Sequence, residues 1–250
     1  MNPSTLFIGQ SHTHFSELDS TNSELLRMIK LDKLNEGHVV SSDFQKEGRG
    51  QRGKQWDSQK GMNLMMSVLL KPSAFKWNDQ FVLNMAIALG VRSFFQDKVL
   101  DEVKIKWPND IYVNNKKVAG ILLENVIKDG RIEYCVAGIG ANLNQEYFNE
   151  LTSASSLKLE TGKYWSPTLA MQELCGFLEV FYMKLKTSKT DVLKLYNAHL
   201  YGGTWKNYLY ENQRVEAKVV SVSENGKASF RLKNEQLLTL NHGEIQLVLD

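Results

Sequence analysis

The segment Gly48-Arg49-Gly50-Gln51-Arg52-Gly53-Lys54-Gln55-Trp56 puts three glycines and three cations into nine residues, directly after the apolar stretch His38 to Phe44. Such a loop is suited to holding an anion. Glycine lets the backbone take up positive φ and come close to a ligand, while its amides and the guanidinium forks of Arg49 and Arg52 offer donors to phosphate or carboxylate oxygens. Taken alone, the same composition also describes a solvated surface loop or a nucleic-acid contact. Further along stand Lys106-Trp107-Pro108-Asn109-Asp110, Lys116-Lys117-Val118-Ala119-Gly120-Ile121-Leu122-Leu123-Glu124 and Gly138-Ile139-Gly140-Ala141-Asn142-Leu143-Asn144. They add a rigid turn ending in a carboxylate, a lysine beside small residues, and a glycine-flanked asparagine.

In this order the four segments resemble the biotin protein ligases. The resemblance covers about Ser20 to Asn144 with motifs and, more loosely, the C-terminal residues, whose pattern looks like the small β-barrel appended in that family. It implies a two-step reaction. The biotin carboxylate attacks the α-phosphorus of ATP to give biotinyl-5'-AMP and pyrophosphate, and a lysine of a biotin carboxyl carrier protein or domain, in acetyl-CoA carboxylase or a related carboxylase, then attacks the acyl carbon. Two anions must approach each other, so cations and amide donors have to be in place beforehand, with Mg²⁺ arriving on the triphosphate and no metal held by the protein alone.

The resemblance also implies roles. Lys117, Asp110 and Arg49 are the catalytic candidates. Biotin contacts fall to Ser20, Thr21, Asn22, Gln45, Arg49, Gly50, Gln51, Lys117 and Gly120, and adenylate contacts to Arg49, Arg52, Lys54, Trp56, Lys106, Asn109, Lys117 and Asn142. Asp110 would hold the incoming carrier lysine or help remove its proton, since an ammonium has no lone pair for attack. Plainer readings stay open for each: a strand-end surface lysine for Lys117, a turn aspartate for Asp110, a helix cap for Ser20 to Asn22, a simple turn for Asn142, and a core tryptophan for Trp56.

Two other functions compete. A lipoate or octanoate ligase shares fold and adenylate chemistry, but the pairing of Lys106 to Asp110 with Gly48 to Gly53 goes with biotin enzymes. A catalytically silent nucleotide-binding module would be favoured if Lys117 were dispensable. Some relatives carry an N-terminal helix-turn-helix domain; the residues before Ser20 are too few for it, so no DNA partner is expected.

These groups need a scaffold. Leu25, Leu26, Ile29 and Leu34 predict a helix over Ser23 to Leu34, capped by Asn22 or Ser23, and Gln80 to Gln96 reads as a buried amphipathic helix. His38 to Phe44, Asn63 to Leu70, Val103 to Lys106, Ile111 to Val113, Lys117 to Ile127 and Arg131 to Gly138 read as strands, with Asn114-Asn115 and Asp129-Gly130 as hairpin turns. Ser166 with Pro167 starts another helix, and Thr190-Asp191 a short last one. After Tyr201 only short alternating runs remain, at Val215 to Val222, Lys227 to Leu232, Leu237 to Leu240 and Ile245 to Leu249. The expected class is α+β: a mixed, mostly antiparallel sheet flanked by helices, as in class II synthetase-like ligases, over residues 1–200, and a small SH3-like β-barrel over 201–250.

Composition narrows the partners. Thirty basic against 28 acidic residues leave a net charge of +2, which points to neither a general nucleic-acid nor a membrane binder. Cys135 and Cys175 lie in apolar stretches and read as reduced, buried packing residues, and the five scattered histidines make poor metal ligands, His12 and His14 falling in a polar segment expected to be poorly ordered. Without a signal segment or an apolar run of membrane length, a cytoplasmic setting is expected; a homodimer stays open. One departure matters: many family members carry arginine where this chain has Gln51. A neutral amide bonds an anion more weakly than a charged fork. Gln51→Arg is therefore expected to slow adenylate release, measured as the dissociation rate of biotinyl-5'-AMP, and an unchanged or faster rate would remove Gln51 from this role.

Overall fold

A computed structural model describes residues 4–31, 33–148 and 153–248. The chain runs β1 (His12–Phe15), α1 (Thr21–Leu31), β2 (Val39–Ser42), β3 (Leu64–Leu70), α2 (Gln80–Gln96), β4 (Val103–Lys106), β5 (Asp110–Val113), β6 (Lys116–Lys128) and β7 (Arg131–Ala141). Then follow α3 (Leu157–Thr161), α4 (Pro167–Thr187), α5 (Lys189–Ala198), β8 (Lys206–Tyr210), β9 (Gln213–Val222), β10 (Ala228–Leu232), β11 (Leu237–Leu240) and β12 (Ile245–Leu247). The first seven strands form one sheet in the order β1-β2-β3-β7-β6-β5-β4, and the last five a second sheet in the order β11-β10-β9-β8-β12. In the large sheet β1 lies parallel to β2, and the other neighbours are antiparallel. This is the expected α+β architecture, with the second sheet as its barrel-like appendage.

The two faces of the large sheet are covered unequally. One carries α2, α4 and α5; α2 is buried almost all round, from Val82 to Val91 and at Phe94 and Phe95, because it lies between the sheet and α4. Among the described residues the other face carries α1, which packs on β2, β3 and β7 through a small cluster of Leu25, Val40, Leu69 and Val136. β6 meets α1 on that side at Asn22. Asn114 and Asn115 (φ 48° and 63°) and Asp129 and Gly130 (φ 50° and 72°) close the β5–β6 and β6–β7 hairpins with positive φ, as those residue types favour.

Several elements differ from expectation. α1 begins at Thr21, with the Glu24 N–H bonded to the Ser20 carbonyl, so Thr21 and Asn22 lie inside the first turn with their side chains engaged elsewhere. β7 continues to Ala141 and takes the Gly138-Ile139-Gly140 run into the strand. β8 and α3 were not anticipated; each is too short for periodicity to register. The last barrel strand is described to Leu247, and Leu249 lies outside the described residues. No helix among the described residues is long and apolar enough to cross a membrane.

The histidine segment is a further correction, since it forms β1 against β2. His38, 5% exposed, takes Ser11 Oγ at 2.8 Å and Thr13 Oγ1 at 3.2 Å, and both ring edges of the His12 and His14 pair meet Ser41 Oγ, at 2.8 and 2.9 Å. Burial lowers the pKa of His38; burial, then the charges of His14 and His38, lowers that of His12. As the pH falls below the ordinary value of 6.5, the unfolded histidines take up protons that the folded ones resist, so the unfolded state binds more protons and stability declines. The melting temperature is expected to fall between about pH 7 and about pH 5, and His38→Gln to flatten that dependence, as read by thermal denaturation across the range.

Candidate active site

The uncovered part of the sheet is the floor of a cavity of about 680 Å³, and every residue singled out as a biotin, adenylate or catalytic candidate lines it. Its floor is the β6–β7 pair, in register with Gly120 opposite Gly140 and Leu122 opposite Gly138. With no Cβ on these glycines, two side chains lie directly on the strand backbone. The Trp56 indole rests on Gly120 and Gly140; a Cβ on Gly120 would lie 2.8 Å from the ring. The Asn22 carboxamide rests on Gly138, where a Cβ would lie 2.8 Å from its Cγ. The Trp56 Nε1–H is buried without a hydrogen-bond partner among the described residues.

One end of the cavity is a polar network. Ser67, fully buried in the middle of β3, bonds Thr21 Oγ1 at 2.7 Å and Asn22 Oδ1 at 2.6 Å. Ser67 has one hydrogen and the Asn22 oxygen can only accept, so Ser67 donates to Asn22. Gln45 Oε1 accepts from the Thr21 backbone N–H at 2.8 Å and faces its hydroxyl at 3.0 Å. Asn22 Nδ2 donates to Glu124 Oε2 at 2.7 Å and to the Leu122 carbonyl at 3.3 Å. Glu124 also takes Arg49 at 2.7 Å. Arg49 is thus drawn to the Asn22 end rather than toward the other two catalytic candidates.

Those two meet where β5 begins. Lys117 Nζ lies 2.7 Å from Asp110 Oδ1 and 5.4 Å from the centre of a Trp56 ring. Lys106 stands close by, bonded to the Tyr112 hydroxyl at 3.2 Å; burial lowers its pKa, opposed by the Asp110 charge. The asparagines serve the scaffold as well. Asn109 Nδ2 donates to the Ile121 carbonyl, and Asn142 Nδ2 to the Ser155 carbonyl at 2.9 Å.

The third wall comes from the second sheet. Arg52, in a left-handed conformation (φ 55°), donates to the His242 carbonyl, and Gly243 leaves room for its guanidinium. The His242 ring meets the Trp107 ring edge-on at 5.5 Å between centroids, and Trp107 Nε1 donates to the Gly226 carbonyl at 3.0 Å. Burial first, then the Arg52 charge, lowers the His242 pKa. Ser67, Glu124 and His242 had no assigned role in the sequence reading. Ser67 was visible as the polar residue inside the apolar run Leu64 to Leu70, and Glu124 as the charge that follows the apolar run Ile121-Leu122-Leu123. His242 carried no such signal.

The family model for "Biotin/lipoate A/B protein ligase family" matches residues 15–142, more than half of the chain. The chain belongs to this family. As a family member it is similar over nearly its whole length to the biotin protein ligase from Aquifex aeolicus in complex with biotin and ATP, with a TM-score of 0.78, 26% identity, and coverage of 96% of this chain and 100% of that one. The bifunctional ligase/repressor BirA of Bacillus subtilis is 28% identical over 246 residues, covering 96% of this chain and 72% of that protein. The biotin--[acetyl-CoA-carboxylase] ligase of Paracoccus denitrificans is 34% identical over 130 residues, covering 50% and 51%.

The close seat of Asn22 on Gly138 has a measurable consequence. Gly138→Ala should push the carboxamide off Ser67 and Glu124, leaving buried polar groups unpaired at a cost of about 1–3 kcal/mol in urea unfolding. Combined with Asn22→Gly, which removes the obstructing amide, the same substitution should cost little further, and a double-mutant cycle reads the difference.

Proposed function

We propose that this family member activates biotin with ATP and transfers it to a carrier lysine: it is a biotin protein ligase. The observation that carries this reading is one cavity with a polar, hydrogen-bonding end at Thr21, Asn22 and Gln45 and a cationic end at Lys106 and Lys117. The first end suits the ureido ring of biotin and is a poor match for the dithiolane of lipoate, which has no N–H or carbonyl to pair. The second suits a carboxylate and a phosphate brought together.

In the proposed first step a biotin carboxylate oxygen bonds to the α-phosphorus of ATP as the bond to pyrophosphate breaks. Lys117 lies against both reacting groups and offsets their mutual repulsion, and Lys106, Lys54 and Arg52 hold the phosphates. Lys106 gains from that contact, because burial disfavours its charge. Magnesium is proposed as the companion ion of the triphosphate, where it would neutralise phosphate charge; the cavity wall there mixes Arg52, Lys54, Lys106 and Lys117 with the carboxylates of Asp57 and Asp110. Trp56 closes the loop over the adenylate.

In the second step the carrier amine bonds to the acyl carbon and the bond to AMP breaks. Asp110, freed from Lys117 as that lysine turns to the phosphate, holds the ammonium or takes its proton. The carrier is proposed to be the biotin carboxyl carrier domain of acetyl-CoA carboxylase or a related carboxylase, in the cytoplasm, and we place the domain boundary near residue 200.

Mass spectrometry of the protein mixed with ATP, Mg²⁺ and equal biotin and lipoate tests the reading. Biotinyl-5'-AMP formed by the parent and lost in Lys117→Ala is the expected result. Lipoyl-AMP would move the protein to the lipoate branch, and adenylate formation surviving in Lys117→Ala would remove that lysine from the mechanism.

A further inference from the structure

We propose that Glu124 is a positioning residue that shapes the ring end of the biotin pocket, acting through Asn22 and Arg49 without touching the reacting atoms. The inference rests on the ligase reading above. A single carboxylate oxygen, Oε2, takes both Asn22 Nδ2 and Arg49 at 2.7 Å. Asn22 is 3% exposed, and both of its amide donors are engaged, by Glu124 and the Leu122 carbonyl, while its oxygen accepts from Ser67. It therefore meets a ligand with the remaining lone pair of its oxygen, held in one orientation by Glu124.

Arg49 carries the other half of the argument. It belongs to a loop that bonds back on itself, Trp56 N–H to the Gly48 carbonyl at 2.8 Å and Gly50 N–H to the Lys54 carbonyl at 2.7 Å. Drawing Arg49 onto β6 therefore draws the whole loop, including Trp56, down over the glycine floor. The Arg49 and Glu124 side chains are 41% and 28% exposed. A pair this accessible adds little to global stability, so its effect falls on capture of biotin rather than on the fold.

The test is steady-state adenylation kinetics on the full chain, with melting temperatures for each variant. Glu124→Ala is expected to raise KM for biotin about tenfold while kcat at saturating biotin changes less than about threefold. Glu124→Gln should fall between, because its amide oxygen still accepts from Asn22 but no longer attracts the Arg49 charge. Exchanging the charges in Arg49→Glu with Glu124→Arg should recover part of the loss, and raising salt should weaken the parent's KM more than that of Glu124→Gln. A fall in kcat at unchanged KM would overturn the proposal, as would activity lost in all variants only in proportion to a lowered melting temperature. A parent that makes no biotinyl-AMP overturns the ligase reading and this inference together; an active parent with an unchanged KM in Glu124→Ala overturns this inference alone.

Discussion

The site depends on the register between β6 and β7. Gly120 stands opposite Gly140 and Leu122 opposite Gly138, so one face of the central hairpin has a bare strip of backbone at its middle. A slip of one residue would turn Ile121 and Ile139 onto that face and fill it. The strip matters because α1 packs chiefly on β2, β3 and β7 and reaches β6 through Asn22 at its first turn. Bare backbone on an uncovered face lets an indole and a carboxamide sit flat on the sheet, and it offers a flat ligand the same close approach. The large core on the opposite face holds the register rigid: Ile121 and Ile139 are buried there together with α2.

Charge in the cavity follows a second constraint. The loop and the strands bring Arg49, Arg52, Lys54, Lys106 and Lys117 around one space in a chain whose net charge is only +2. Unpaired, such a cluster would repel itself and be costly to desolvate. Four of the five have a local partner: Glu124 for Arg49, Asp110 for Lys117, the Tyr112 hydroxyl for Lys106, and the His242 carbonyl for Arg52. The site is thereby held close to the geometry an anion requires, with side chains already oriented, which is the sense in which preorganisation favours a charged transition state over bulk water.

Much of this was legible in the sequence because it is local. The β5–β6 and β6–β7 turns announce themselves by Asn114-Asn115 and Asp129-Gly130, the α4 start by Ser166-Pro167, and α2 by its high apolar content from Phe81 to Phe95. Candidate residues could be gathered from the four motifs and, for Ser20, Thr21, Asn22 and Gln45, from the family resemblance, and they line one cavity. What was not legible is which candidates meet. Arg49 is separated from Glu124 by 75 positions, Asn22 from Glu124 by 102, and Arg52 from His242 by 190, and no pattern of spacing reports such pairings. Asn22 misled for a physical reason: a Ser-Thr-Asn run before a helix is good capping chemistry, yet the helix starts at Thr21, two residues before the expected Ser23, and the carboxamide turns inward to the sheet. The histidine segment misled because its partners, Ser41 and His38, lie on the next strand.

The link to the second sheet shows how a small appendage can enter the chemistry without supplying a reactive group. Trp107 sits in the turn between β4 and β5, next to the residues that lead to Asp110, and is fixed from outside by the Gly226 carbonyl and by the Phe230 and His242 rings. Arg52 is fixed from the same side through the His242 carbonyl. The two segments that frame the cationic end are therefore tied to one another through β9 to β12 rather than through the large sheet. A left-handed arginine is held only where its surroundings over-determine it. The barrel side supplies that: Gly243 opens the space, the carbonyl accepts the guanidinium, and the Trp107 ring blocks the His242 segment from moving away. Removing the ring at 107 would therefore disturb Arg52, in a segment 55 residues earlier in the chain, as well as the buried cluster that Trp107 shares with Phe230 and with Ile105 and Ile111 of the large sheet.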